Sequence, residues 1–196
     1  SNTWSTIWNG IHQCYMFQES LKQVSNEYVT DEMKKQYLAE SNFLIAYYHF
    51  LSMRSYGPTM IIRSVIDLET PISGFPERSS IDEVVAFINE KLDEAMSEGG
   101  LPTTWSGKDY GRATRLAALA LKSRVYLYAA SPLYNGNTEM YADFRSPLDG
   151  RQLIAQEKSQ AKWEISATQT KYAIDEVEKA KFHLYHDADA GEPSDA

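Results

Sequence analysis

Apolar positions along the chain fall into five helical patterns, separated by stretches without a period. Over residues 4–24 they come at Trp4, Trp8, Ile11, Tyr15 and Leu21, close to one per helical turn. Over about 31–55 the pattern is denser. Leu38, Ser41, Leu44, Ile45, Tyr48 and Leu51 mark one face, and Phe43, Ala46, Tyr47 and Phe50 mark a second. A helix apolar on two faces packs between neighbours, and this one should stop before Gly57-Pro58, where glycine and proline cannot continue it. The third helix has the clearest signals. Ser80 and Glu83 form a capping box. Asp82 and Glu83 sit at the positive end of the helix dipole. Ile81, Val84, Val85, Ile88, Leu92, Ala95 and Met96 then trace one stripe up to Gly99-Gly100. A fourth helix is expected over about 114–130, with Leu116, Leu119, Ala120, Ser123, Leu127 and Ala130 on one face. Its alanines allow close helix approach, and Pro132 lies just past its end. A fifth runs over about 161–185, with Trp163, Ala167, Thr170, Ile174 and Val177 in register.

Between the second and third helices, residues 60–68 carry Ile61, Ile62, Val65 and Ile66 with poor alternation, followed by Pro71, Gly74 and Pro76. This reads as an extended connection rather than a strand. The connections 99–112 and 131–154 are long, and long loops in a small domain are often functional. The architecture that follows is all-α, with antiparallel helical hairpins and long connecting loops. No regular self-similarity marks a repeat, although Ala120 and Pro132 stand as far apart as the small residue and closing proline of a tetratricopeptide unit.

Charge and composition narrow the partners. The formal charge is -8, from 27 acidic and 19 basic residues, with no local basic cluster, so nucleic acid is not an expected partner. Cys14 is the only cysteine, which excludes an internal disulfide, and its aromatic neighbourhood marks a buried apolar thiol rather than a nucleophile. No apolar run approaches the ~20 residues that span a bilayer. The helical region is assigned to residues 1–186, and residues 187–196 to a polar tail expected to be disordered. Both ends read as cut from a longer protein.

Three segments, in order, resemble the SusD/RagB family of outer-membrane nutrient-binding lipoproteins. "YLAESNFLIAYYHFLSMRSYGP" (residues 37–58) is similar to its aromatic-rich helix with a Tyr-Gly-x-Pro-like exit. "LPTTWSGKDYGRATRLAALALKSRVYLYAASPLYNG" (residues 101–136) is similar to its Gly-Arg loop, alanine-rich helix and Ala-Ser-Pro-Leu-Tyr exit. "KWEISATQTKYAIDEVEKAKFHLY" (residues 162–185) resembles the helix that opens on Lys-Trp. The chain departs from the family at Cys14-Tyr15, where many members have Asn, and in its more polar stretch 164–171. The resemblance implies a tetratricopeptide-like scaffold from the helical part of a longer protein. It also implies a surface-exposed outer-membrane lipoprotein whose lipid anchor is absent from this fragment. Such a protein captures oligosaccharides for a SusC-like TonB-dependent transporter and catalyses nothing.

Sugar capture calls for flat aromatic faces ringed by polar groups, because a pyranose combines apolar C–H patches with peripheral hydroxyls. Trp105, Tyr110 and Arg112, in a loop with Ser106, Lys108 and Asp109, have that composition, and Tyr134 follows a helix exit. These four are the candidate ligand-binding residues. Tyr56 is aromatic beside a helix exit, and the four-residue spacing of Trp4 and Trp8 assigns both to the core. His183, His186, Asp187 and Asp189 lack metal-site spacing, so no metal or other cofactor is expected. His12 and His49 read as structural. No phosphate loop, nucleophile elbow or Cys-His pair is present. Two alternatives stay open: a tetratricopeptide-type protein-interaction scaffold without carbohydrate binding, and a glycoside hydrolase built on helical hairpins.

Overall fold

The computed structural model describes residues 2–67 and 69–184. Six helices and one minimal hairpin of strands follow in order: α1 (Asn2–Gln23), α2 (Asp31–Tyr56), β1 (Thr59–Met60), β2 (Arg78–Ser79), α3 (Ile81–Ala95), α4 (Arg115–Ala130), α5 (Thr138–Tyr141) and α6 (Gln160–Lys179). The fold is all-α apart from the antiparallel pairing of Thr59 with Ser79 and Met60 with Arg78. That pair closes the connection between α2 and α3, which is extended over residues 61–66 and holds a 3-10 turn at Ile72–Gly74. The tail 187–196, together with His186, lies outside the described residues.

Local chemistry explains where the helices begin and end. Thr30, Ser80 and Thr114 each accept a backbone N–H three residues on, at the starts of α2, α3 and α4. Ser80 and Glu83 complete the capping box reciprocally. Those bonds, the backbone one first, hold the Glu83 carboxyl below its usual range. α2 ends at Gly57, whose φ of 71° turns the chain away from the helix.

Each long helix packs on the next: α1 on α2, α2 on α3, α3 on α4 and α4 on α6. Two apolar clusters result. The larger joins α2, α3 and α4 through Phe50, Met53, Val84, Ile88, Leu92, Leu121 and Val125. The smaller joins α1, α2 and α3 through Ile7, Ile11, Cys14, Tyr15, Ile45 and Phe87. At ~25 cal/mol per Å² of apolar surface, such burial is the main term holding the helices together. Gly10 lets α1 and α2 approach, since a Cβ there would stand 2.6 Å from the Tyr48 ring. Cys14 is buried as expected, and desolvation pushes its thiol pKa up.

The facing of two helices differs from the sequence pattern. α4 buries Leu119 and Ala130 of the expected face, and also Ala118, Leu121, Val125 and Ala129, while Ala120 and Leu127 point outward. α6 buries Ser166 and Ala173 and exposes Ile165, Tyr172 and Ile174. The small residues among them, Ala118 and Ala129 on α4 and Ser166 and Ala173 on α6, permit close helix approach. A hydroxyl pair, Ser123 with Thr170 at 2.7 Å, joins the two helices. α6 also ends earlier than its expected limit, at Lys179.

Buried polar side chains join the loops to the helices. His49 is fully buried on α2; its Nδ1 lies 2.7 Å from the Ile45 carbonyl and its Nε2 accepts the Ile62 N–H at 3.3 Å. That assigns the neutral ring with the proton on Nδ1. The Tyr15 hydroxyl donates to the Ile62 carbonyl at 2.7 Å. Both backbone groups of Ile62 are thereby met without a β-ladder, which fixes the extended connection against α1 and α2. Asn135 works similarly at the other end. Its amide donates to the carbonyls of Ala130 and Ser159 and accepts from the Ser159 N–H, joining the exit of α4 to the start of α6.

Candidate functional site

The loop between α3 and α4 brings three of the four candidate residues together. A 3-10 turn at Gly107–Asp109 carries the chain from Trp105 back toward Arg112. The Trp105 indole N–H donates to the Ala113 carbonyl at 2.7 Å. The Arg112 guanidinium lies 4.1 Å from the Trp105 ring centre and 5.7 Å from that of Tyr37. It also pairs with Glu40 at 2.5 Å and Asp109 at 2.9 Å. Burial opposes its charge, but the two carboxylates outweigh that and raise its pKa. The Trp–Arg pair therefore ties the loop to α2. Tyr110 is 86% exposed beside it.

Tyr134 lies elsewhere. It is 3% exposed within the large cluster, and its hydroxyl donates to the Met53 carbonyl at 3.1 Å. Burial raises its pKa. Tyr134 is a candidate ligand contact from its place after a helix exit; here the turn 131–135 folds back under α2, and its phenol donates to a carbonyl in the last turn of that helix. Tyr134 thus shows no free ring face.

A second aromatic site lies where the sequence pattern assigned core. Trp4 and Trp8 are only partly buried, and together with residues of the 60–75 connection they line a groove of about 470 Å³. Trp4 meets Trp8 edge-on at 5.3 Å and Tyr56 at 4.9 Å, and Trp8 meets the His49 ring at 6.0 Å. Met60, Ile62, Ile66 and the half-exposed Phe75 form the opposite wall. Asn9, His12, Ser64 and Asp67 also line it. His12, read from sequence as structural, therefore faces a groove, whereas His49 is structural as expected. The only sequence signal for this site was the Trp4/Trp8 spacing. Nothing local indicated that Phe75, some seventy residues away, would come back to meet it.

Among the described residues no group of three or more His, Cys, Asp and Glu side chains is placed to hold a metal ion. No helix among them is long and apolar enough to cross a membrane.

A family model described as "Starch-binding associating with outer membrane" matches residues 1–127, and the chain belongs to this SusD-like family. None of the curated proteins matches it. Among solved structures it is similar to BT4246, with a TM-score of 0.84 and 35% identity over 94% of this chain and 31% of that one. It is also similar to surface glycan-binding protein A from Bacteroides fluxus, at 30% identity and a TM-score of 0.55 over 66% of this chain and 26% of that one. A laminarin-binding SusD-like protein matches at 25% identity and a TM-score of 0.57, over 65% of this chain and 26% of that one. The chain spans less than a third of the length of each of these relatives.

Proposed function

We propose that this chain is part of a glycan-binding protein held at the cell surface by a lipid anchor on the outer membrane, which captures oligosaccharides and delivers them to a SusC-like TonB-dependent transporter. The observation that carries this reading is the family match over residues 1–127, whose family description joins starch binding to the outer membrane. Relatives named for glycan and laminarin binding support the ligand class. The protein has a binding role and no catalytic one. In the 101–115 loop, Tyr110 offers an open ring and Trp105 an indole held in place by Arg112, so these three remain the proposed loop contacts for sugar.

The experiment has two arms. The complete protein is titrated with starch, mannan, host-glycan and pectic oligosaccharides by tryptophan fluorescence, and tagged protein is recovered from detergent-solubilised outer membranes. Saturable binding of one glycan class and co-recovery of a TonB-dependent transporter support the proposal. Release of new reducing ends from any oligosaccharide would instead support a hydrolase.

A second reading, a protein-interaction scaffold, draws on Leu44 and Tyr47 of α2 and Leu127 of α4, which are 39%, 40% and 49% exposed. Exposed apolar side chains of this size suit a protein partner. Recovery of a peptide or protein partner without a transporter, together with no sugar response, would favour it.

A further inference from the structure

Resting on the reading of the chain as glycan-binding, we propose that the Trp4–Trp8–Phe75 groove is a subsite for neutral sugar units of an oligosaccharide. Three observations carry this. The first is shape: about 470 Å³ lies within the ~300–1,000 Å³ of ordinary small-molecule sites. The second is the pairing of rigid aromatic faces with free polar groups. Trp4 and Trp8 stand on successive turns of α1, and edge-on contacts with each other and with Tyr56 hold their planes. Such faces suit the apolar C–H side of a pyranose. Around them, the side chains of Asn9, His12 and Ser64 make no hydrogen bond or ion pair among the described residues. Their donors and acceptors are available to ring hydroxyls.

The third observation is charge. Among the described residues, Asp67 is the carboxylate in the lining, and neither Lys nor Arg lines the groove. The adjacent Arg63 is engaged elsewhere: it pairs with Glu90 at 2.8 Å and lies over the Phe87 ring. A uronate or sulfated sugar would meet a carboxylate with no cation to answer it, so the groove selects neutral units. The loop around Trp105 differs on this point, because its arginine is paired within the protein.

The test uses the 196-residue chain, titrated by tryptophan fluorescence and calorimetry with laminarihexaose, maltohexaose, mannohexaose and hexagalacturonate. One neutral hexaose is expected to bind at least about tenfold more tightly than hexagalacturonate. Phe75→Ser, at a half-exposed loop position, and Trp4→Leu should each weaken that binding by about tenfold with helical circular dichroism retained. Tyr28→Ser, at an exposed position outside both aromatic regions, should leave it unchanged. If a neutral hexaose binds but neither groove substitution weakens it, while Tyr110→Ser does, the groove proposal is overturned and the glycan-binding reading stands. Hexagalacturonate binding as tightly as the neutral sugars overturns the selection for neutral units. No response of the chain to any of the four also overturns the groove, since all its residues are present; binding of the same panel by the complete protein then decides the broader reading separately.

Discussion

Two aromatic regions of this chain use similar side chains to opposite ends. In the loop between α3 and α4, Trp105 donates its N–H to a carbonyl, is covered on one side by Arg112, and is tied through that arginine to Glu40 and Asp109. In the groove at the start of α1, Trp4 and Trp8 pack against each other, and the side chains of Asn9, His12 and Ser64 have no internal partner among the described residues. The Trp8 Nε1 itself is buried without an acceptor. The loop therefore offers a ligand chiefly the open ring of Tyr110, because Trp105, Arg112, Glu40 and Asp109 engage one another. What distinguishes a site is hydrogen-bonding capacity left over after folding.

The comparison is best broken at His49, the buried ring beside Trp8. His49→Ala removes the acceptor of the Ile62 N–H and leaves a cavity, and should cost about 3 kcal/mol of stability. The loss would appear as a lower midpoint in chemical denaturation, accompanied by loss of groove-dependent sugar binding. His49 has a second, pH-linked signature of similar size. Burial lowers its pKa to about 4 from an ordinary value of 6.5. Between those values the unfolded chain binds the proton more readily than the folded one, so stability falls as pH falls. The contribution is fully present above about pH 6.5 and lost by about pH 4, on the order of 3 kcal/mol in all. His49→Gln, which can accept from Ile62, should flatten the denaturation midpoint relative to wild type across that window.

A smaller effect is expected at the loop. Arg112→Ala should cost about 1–2 kcal/mol by removing the cation from between its two carboxylates and the Trp105 ring. It should speed amide hydrogen exchange in residues 104–113 and leave sugar affinity at the groove unchanged. A change in groove affinity would show that the two regions are coupled. Tyr134→Phe removes the bond to the Met53 carbonyl and should cost about 1 kcal/mol, read from a denaturation midpoint, without changing affinity for sugar. Trp8→Phe is the smallest and most pointed test. It deletes an unsatisfied donor, so stability should stay within about 1 kcal/mol while a contact face for sugar shrinks. A large loss of stability would mark Trp8 as core and not as part of a site.

The elements whose limits depend on neighbours in sequence were legible from residues alone. The capping box at Ser80 and Glu83, the apolar stripe of α3 and the stop of α2 at Gly57 all appear where the pattern placed them. The facing of α4 and α6 was only partly legible: Leu119 and Ala130 are buried where the pattern placed them, but Ala118 and Ser166 are buried too while Leu127 and Ile174 point outward. Periodicity weights side chains by size and hydropathy, whereas helix packing weights them by how closely they let backbones approach. The candidate loop was legible as chemistry but not as geometry. Trp105 and Arg112 do meet, and Tyr134 is drawn into the core, where its hydroxyl donates to a carbonyl of another helix.

The sequence by itself determined that this chain is all-α, where its main helices lie, that its cysteine is buried, and which family it belongs to. Each rests on residues close together in the chain or on ordered motifs. Tertiary structure alone decided which aromatics remain open. That depends on where residues far apart, such as Trp4 with Phe75, Tyr15 with Ile62 and Tyr134 with Met53, are brought together. A hydrogen bond or a covered ring face is fixed by the three-dimensional neighbour that supplies it, and no local pattern names that neighbour.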